Sequence, residues 1–119
     1  AAWPDAPRPV SAGDLLAERA LLGDIPARNT LVSRIVRPLQ TTSGGSLLDT
    51  AAAYLESGRS LEGAARRLFV HTNTVRYRLG RIAELTGYDI TDTHEADTVH
   101  LAIRYARLRQ PAAAPVARS

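Results

Sequence analysis

Residues 60–87 read SLEGAARRLFVHTNTVRYRLGRIAELTG, and the fold turns on how this stretch divides. Ser60 is a small hydroxylated residue ahead of a short run with helical spacing, where a side-chain oxygen can cap free helix amides; it predicts a helix from Leu61 to Leu68. Gly63, three residues on, completes only half of a capping box. Phe69-Val70-His71 is a turn too short for antiparallel packing, and His71 is placed to cap a longer helix from Thr72 to about Thr86, stopped by Gly87. A short helix, a tight turn and a longer helix that begins with small polar residues make a helix-turn-helix. Ala65 stands where the two helices must cross closely, and Val70 closes the small core between them. Val75, Leu79, Ile82 and Leu85 recur at helical spacing and are expected to face that core.

Helical signals continue on both sides. Leu47, Leu48, Ala51, Ala52 and Leu55 form the stripe of a preceding helix that Gly58 ends. After the loop YDITD (88–92), Asp92 or Thr93 caps a last helix, with Val99, Ile103 and Ala106 on one side and Leu101, Tyr105 and Leu108 nearby. Further upstream, Asp14 is placed to cap a short helix through Leu15, Leu16, Arg19, Ala20 and Leu22, closed by Gly23. Pro26 suits the first turn of a second helix, whose Leu31, Val32, Ile35 and Val36 precede Pro38. No strand signal competes, so the fold class is all-α: a helix-turn-helix bundle of about four helices preceded by two short ones. The expected organisation is a proline-rich linker at 1–13, a helical preface at 14–40, a flexible polar linker TTSGGS at 41–46, the helix-turn-helix domain at 47–110 and a disordered tail at 111–119.

With 119 residues, the chain holds one core and not two domains. Hydrophobic residues make up 45% but aromatics only 5%, which predicts a thin aliphatic core of helical type. Cysteine is absent, excluding disulfide scaffolds, thiolate metal sites and cysteine nucleophiles and pointing to a reducing, cytoplasmic setting. No apolar run approaches the length of a membrane span or a signal peptide. His71, His94 and His100 do not form a metal-binding set, so no metal is expected. Acid/base dyads, a nucleophile elbow and a phosphate-cradling glycine loop are missing too, which argues against an enzyme and calls for no cofactor.

What remains is placement of charge. The formal net charge is only +3, and all 15 basic residues are arginine. Between Ala64 and Ala83, however, lie Arg66, Arg67, Arg76, Arg78 and Arg81 without an acidic residue, the pattern of a phosphate-binding surface. Stepping about 100° per residue from the core direction of the longer helix turns Asn73, Tyr77, Gly80 and Glu84 outward, with Arg76 on one flank and Thr74 and Arg81 on the other. Thr72, Asn73, Thr74, Arg76 and Tyr77 are thus the residues expected to face base edges, and Arg66, Arg67, Arg78 and Arg81 those expected to face phosphates. Asn matches adenine, Arg matches guanine and the Thr methyl matches that of thymine.

The segment LLDTAAAYLESGRSLEGAARRLFVHTNTVRYRLGRIAELTG (47–87) resembles the C-terminal helix-turn-helix of the PucR/CdaR family of bacterial transcription regulators, most specifically in VHTNTVRYRLGRIAELTG (70–87). The resemblance extends over about residues 14–109. It implies dimeric binding of double-stranded DNA, with Asn73, Thr74, Arg76 and Arg78 in the recognition helix. It further implies that the chain is the C-terminal part of a longer regulator, whose effector is sensed upstream. Thr72 replaces an arginine usual in the family, which removes one cation from the helix start. Phe69 stands where many helix-turn-helix proteins use glycine for a left-handed turn. A more distant resemblance to the Fis-type helix-turn-helix supports the fold. The leading expectation is a homodimer on a near-palindromic operator; the alternatives are a helical dimerisation or partner-docking module without DNA binding, and a Fis-like architectural DNA-binding protein.

Overall fold

A computed structural model of the chain describes residues 12–109, and their side chains from 15 to 108. The linker expected at 1–13 falls almost entirely outside this range and the tail expected at 111–119 wholly so. The first helix, α1 (Ala12–Leu21), starts ahead of Asp14, which therefore lies in its first turn and does not precede it as a cap. Asp24 caps the next helix, α2 (Ile25–Leu31), by accepting from the Ala27 N–H at 3.0 Å, and Pro26 occupies its first turn.

The second helix does not stop before Pro38. It passes through a π-type turn (Val32–Val36) into α3 (Arg37–Thr41). Proline lacks an N–H, and its ring crowds the carbonyl four residues back. Here the turn ahead of it is widened, with the Arg37 N–H donating to the Val32 carbonyl five residues back, so the helix continues and carries Leu39 into the core. Residues 43–45 then wind into one 3-10 turn, in which Ser43, Gly44 and Gly45 all take positive φ.

Four helices follow: α4 (Ser46–Glu56), α5 (Leu61–Leu68), α6 (Thr72–Thr86) and α7 (Thr93–Arg109). Leu47, Ala51 and Leu55 of α4 are buried as expected, whereas Leu48 and Ala52 are half-buried beside fully covered Thr50 and Tyr54. The largest fully buried side chains include Leu31, Ile35 and Leu39 from before the 43–45 turn and Ile82, Ile90 and Val75 from after it. One core therefore spans both sides of the turn. The Ala20 carbonyl accepts from the Tyr105 hydroxyl and from Arg28 Nε, each at 3.0 Å, and the Arg28 guanidinium lies 4.7 Å from the centre of the Tyr105 ring. These contacts tie α1 and α2 to α7. Among the described residues no helix is long and apolar enough to cross a membrane.

Glu56 gathers three helices. Its carboxylate accepts from Arg107 of α7 at 2.6 Å and from Arg67 of α5 at 3.3 Å. The Arg107 hydrogen bond, aided by Arg67 and opposed by partial burial, holds this carboxyl below the usual glutamate value of 4.5. A depressed carboxylate stabilises the fold above its unfolded pKa and loses that contribution as pH falls through the folded one. Glu56→Gln should therefore lower stability at neutral pH by up to about 1 kcal/mol, the ceiling for solvent-screened pairs. Urea unfolding should show the gap between variant and parent closing in acid; a gap that persists unchanged there would exclude the ion pairs as its cause.

Candidate nucleic-acid interface

The candidate interface is assembled from α5, its turn and α6. Ser60 caps α5 by accepting from the Gly63 N–H at 2.9 Å. A Cβ on Gly63 would approach the Ser57 Cβ to 3.0 Å, which accounts for glycine where a capping box would carry glutamate. At the other end the Val70 N–H donates to the Ala65 carbonyl at 3.0 Å and the Phe69 N–H to the Arg66 carbonyl at 3.4 Å, the paired bonds of a Schellman motif. Phe69 takes the left-handed position of that motif, with φ 58° and ψ 44°, and its ring is 93% exposed. His71 then caps α6, its Nδ1 accepting from the Asn73 N–H at 3.0 Å.

The rotation of α6 about its axis follows from its buried stripe: Val75, Leu79 and Ile82 are covered, and the helix packs on α3, α4 and α5. Leu85 departs from expectation, being 36% exposed. Stepping about 100° per residue puts it roughly 80° from Val75, whereas Thr86 falls on the stripe. Thr86 accordingly is half-buried and donates its hydroxyl to the Ile82 carbonyl at 2.7 Å.

Opposite the stripe, Asn73, Tyr77 and Gly80 are exposed, Tyr77 at 69%, as is Arg76 on the flank, while Thr72 and Thr74 are half-buried. No atom lies within 4 Å of where a Gly80 Cβ would stand, so a surface can come close to the helix backbone there. The residues expected to face bases thus split: Asn73, Arg76 and Tyr77 form the outward ridge, and Thr72 and Thr74 flank it. Arg76 Nη1 donates to Asn73 Oδ1 at 2.8 Å.

The arginines expected at phosphates do not act as one set. Arg66 is exposed and makes no ion pair among the described residues. Arg67 is held by Glu56, and Arg81 Nη1 donates to Glu84 at 2.7 Å. Arg78 corrects the expectation most clearly: it is half-buried and donates to the hydroxyl of fully buried Thr50 at 3.2 Å, which in turn donates to the Ser46 carbonyl at 2.8 Å. The helical wheel places Arg78 only about 60° from Val75, so its guanidinium reaches across to α4 and not out to solvent. A polar Thr50 in the midst of an apolar stripe was the sequence signal that such a partner was needed.

Residues 47–105 match the model of the PucR C-terminal helix-turn-helix domain. An uncharacterized protein of Mycobacterium tuberculosis is 47% identical over 111 residues, covering 93% of this chain but 27% of that protein. The purine catabolism regulatory protein of Bacillus subtilis is 43% identical over 63 residues, 53% of this chain and 12% of that protein. The crystal structure of a regulator of polyketide synthase expression from Bifidobacterium adolescentis superposes with a TM-score of 0.80 at 41% identity, over 91% of this chain and 45% of that one.

The turn generates a direct test. An exposed phenylalanine with positive φ stores strain that glycine would not, and its ring loses little packing when removed. Phe69→Gly should raise stability by about 1 kcal/mol in urea unfolding, and a fall of that size would show that the ring packs where it is found exposed.

Proposed function

Since residues 47–105 belong to the PucR C-terminal helix-turn-helix family, we propose that the chain is the sequence-specific DNA-binding module of a transcription regulator and acts as a homodimer on a near-palindromic operator. The observation that carries this reading is the outward ridge of Asn73, Arg76 and Tyr77 on a capped helix whose opposite side is buried. Such a ridge carries the donors and acceptors that major-groove edges match, on an element of the width the groove admits. Gly80 lets the groove wall approach farther along the helix. Arg66 supplies an uncommitted cation for phosphate, and Arg67 can be drawn from Glu56 by a phosphate at little cost, because exposed ion pairs are weak.

Pairing of two copies is supported by need and by surface. One recognition helix spans only a few base pairs, so useful specificity requires two. Leu21, Leu22 and Ile25, around the α1–α2 junction, and Leu108, near the end of α7, are exposed apolar residues that protein contacts could cover. On this reading the effector is sensed by a domain outside these residues, in keeping with the small share of its relatives' length that the chain spans.

Fluorescence anisotropy with duplex DNA tests the division of roles. Arg76→Ala should cost about 1–3 kcal/mol on a selected sequence and little on random duplex, while Arg66→Ala should weaken both alike and lower the salt slope by about one. Equal losses on both duplexes for both variants would contradict the assignment. Absence of duplex binding at low salt would refute the function itself and favour a helical partner-docking module.

A further inference from the structure

Resting on the DNA-binding reading above, we infer that Asn73 is a positioning residue for Arg76, and that the two side chains together select one guanine, which Arg76 reads. Asn73 is then not an independent reader of adenine.

Arg76 does not leave the helix at the top of the outward ridge. Its Cα lies about 100° from the buried direction, on the flank of α6 and not at the crest. Beside that flank is a shallow cleft lined by Tyr54, Leu61, Arg76, Gly80, Asp89 and Thr91. Asp89 is a carboxylate on the same cleft, already accepting from the Thr91 N–H at 2.9 Å and the Thr91 hydroxyl at 2.6 Å. The Arg76 guanidinium can turn towards this side of the helix or towards the ridge. Asn73, on the crest one turn earlier, captures it: Arg76 Nη1 donates to Asn73 Oδ1 at 2.8 Å. The flank arginine is thereby brought to the outward ridge.

Guanidinium chemistry makes this a productive arrangement. Arginine has five N–H donors in a planar fork. Giving one Nη1 hydrogen to Asn73 leaves donors free at both terminal nitrogens, enough for the O6 and N7 of one guanine. Favouring this plane before DNA arrives lowers the rotamer freedom that would otherwise be lost on binding. For Asn73 the consequence is the reverse. Reading adenine requires Oδ1 to accept from N6 while Nδ2 donates to N7, with the carboxamide plane set by the base; here that plane is set by Arg76. Nor is the Asn73 side chain needed for the helix, since the cap uses its backbone N–H and the imidazole of His71.

Selection of duplexes from a randomised pool, followed by sequencing, tests this with the full chain and its Arg76→Ala, Asn73→Ala, Asn73→Asp and doubly substituted forms. The parent should enrich a guanine in each half-site. Arg76→Ala and Asn73→Ala should both lose preference at that same base pair, roughly ten- to a hundredfold for the former, and the double variant should be within about twofold of Arg76→Ala. Asn73→Asp keeps an acceptor for Arg76 but lacks the amide donor an adenine needs, so it should retain the guanine preference at lower overall affinity. Loss of an adenine preference at a different base pair in Asn73→Ala, with the guanine intact, would overturn the inference and leave the DNA-binding reading standing. A parent chain that enriches no sequence would overturn both.

Discussion

The burial of Val75, Leu79 and Ile82 is the constraint from which the other properties of α6 follow. Covering three aliphatic side chains is worth about 5–9 kcal/mol before entropy, whereas each exposed polar pair on the same helix is worth about 1 kcal/mol or less. The apolar term therefore sets how the helix is rotated, and the rotation decides what it presents. Had the stripe been displaced by one residue, about 100° of rotation would have taken Asn73 to the flank. The outward ridge is thus a consequence of core packing.

Several weaker interactions refine that orientation. The Schellman turn fixes the angle between α5 and α6, at the expense of holding Phe69 in a left-handed conformation. Arg78 braces α6 against Thr50 of α4, and α3 packs on α6 as well. The π-type turn before Pro38 matters for this reason: a helix that ended there would not have placed Leu39 in the core that supports α6. Segments outside 47–105 consequently help to hold the ridge in place, and the Tyr105 and Arg28 bonds to the Ala20 carbonyl keep the first and last helices in register with it.

Much of this was legible in the amino-acid sequence because it depends on local rules. Ser60, His71 and Gly87 mark helix ends through capping chemistry that acts within a few residues, and the Val75-Leu79-Ile82 spacing reveals a buried side without further information. Long-range partners were harder to read. The arginines of 64–83 form a run without acids in sequence, yet Glu56 and Glu84, just outside the run, reach Arg67 and Arg81 in space. Arg78 reads as a phosphate contact by its charge, although its angle on the helix lies near the buried stripe and its partner is Thr50. Leu85 joins the stripe by residue type although its angle lies off it, and the continuation through Pro38 depends on a change of helical winding that composition does not announce.

All of this depends on one side of α6 being buried while the other, proposed to meet a duplex, lies open to solvent. Backbone and side-chain NMR shifts of the chain titrated with duplex DNA at low salt address it most directly. Large perturbations are expected at Asn73, Arg76, Tyr77 and Gly80, with Val75, Leu79 and Ile82 nearly unchanged. Perturbations centred instead on the α1–α2 junction or on α7, with the outward residues of α6 unaffected, would contradict it.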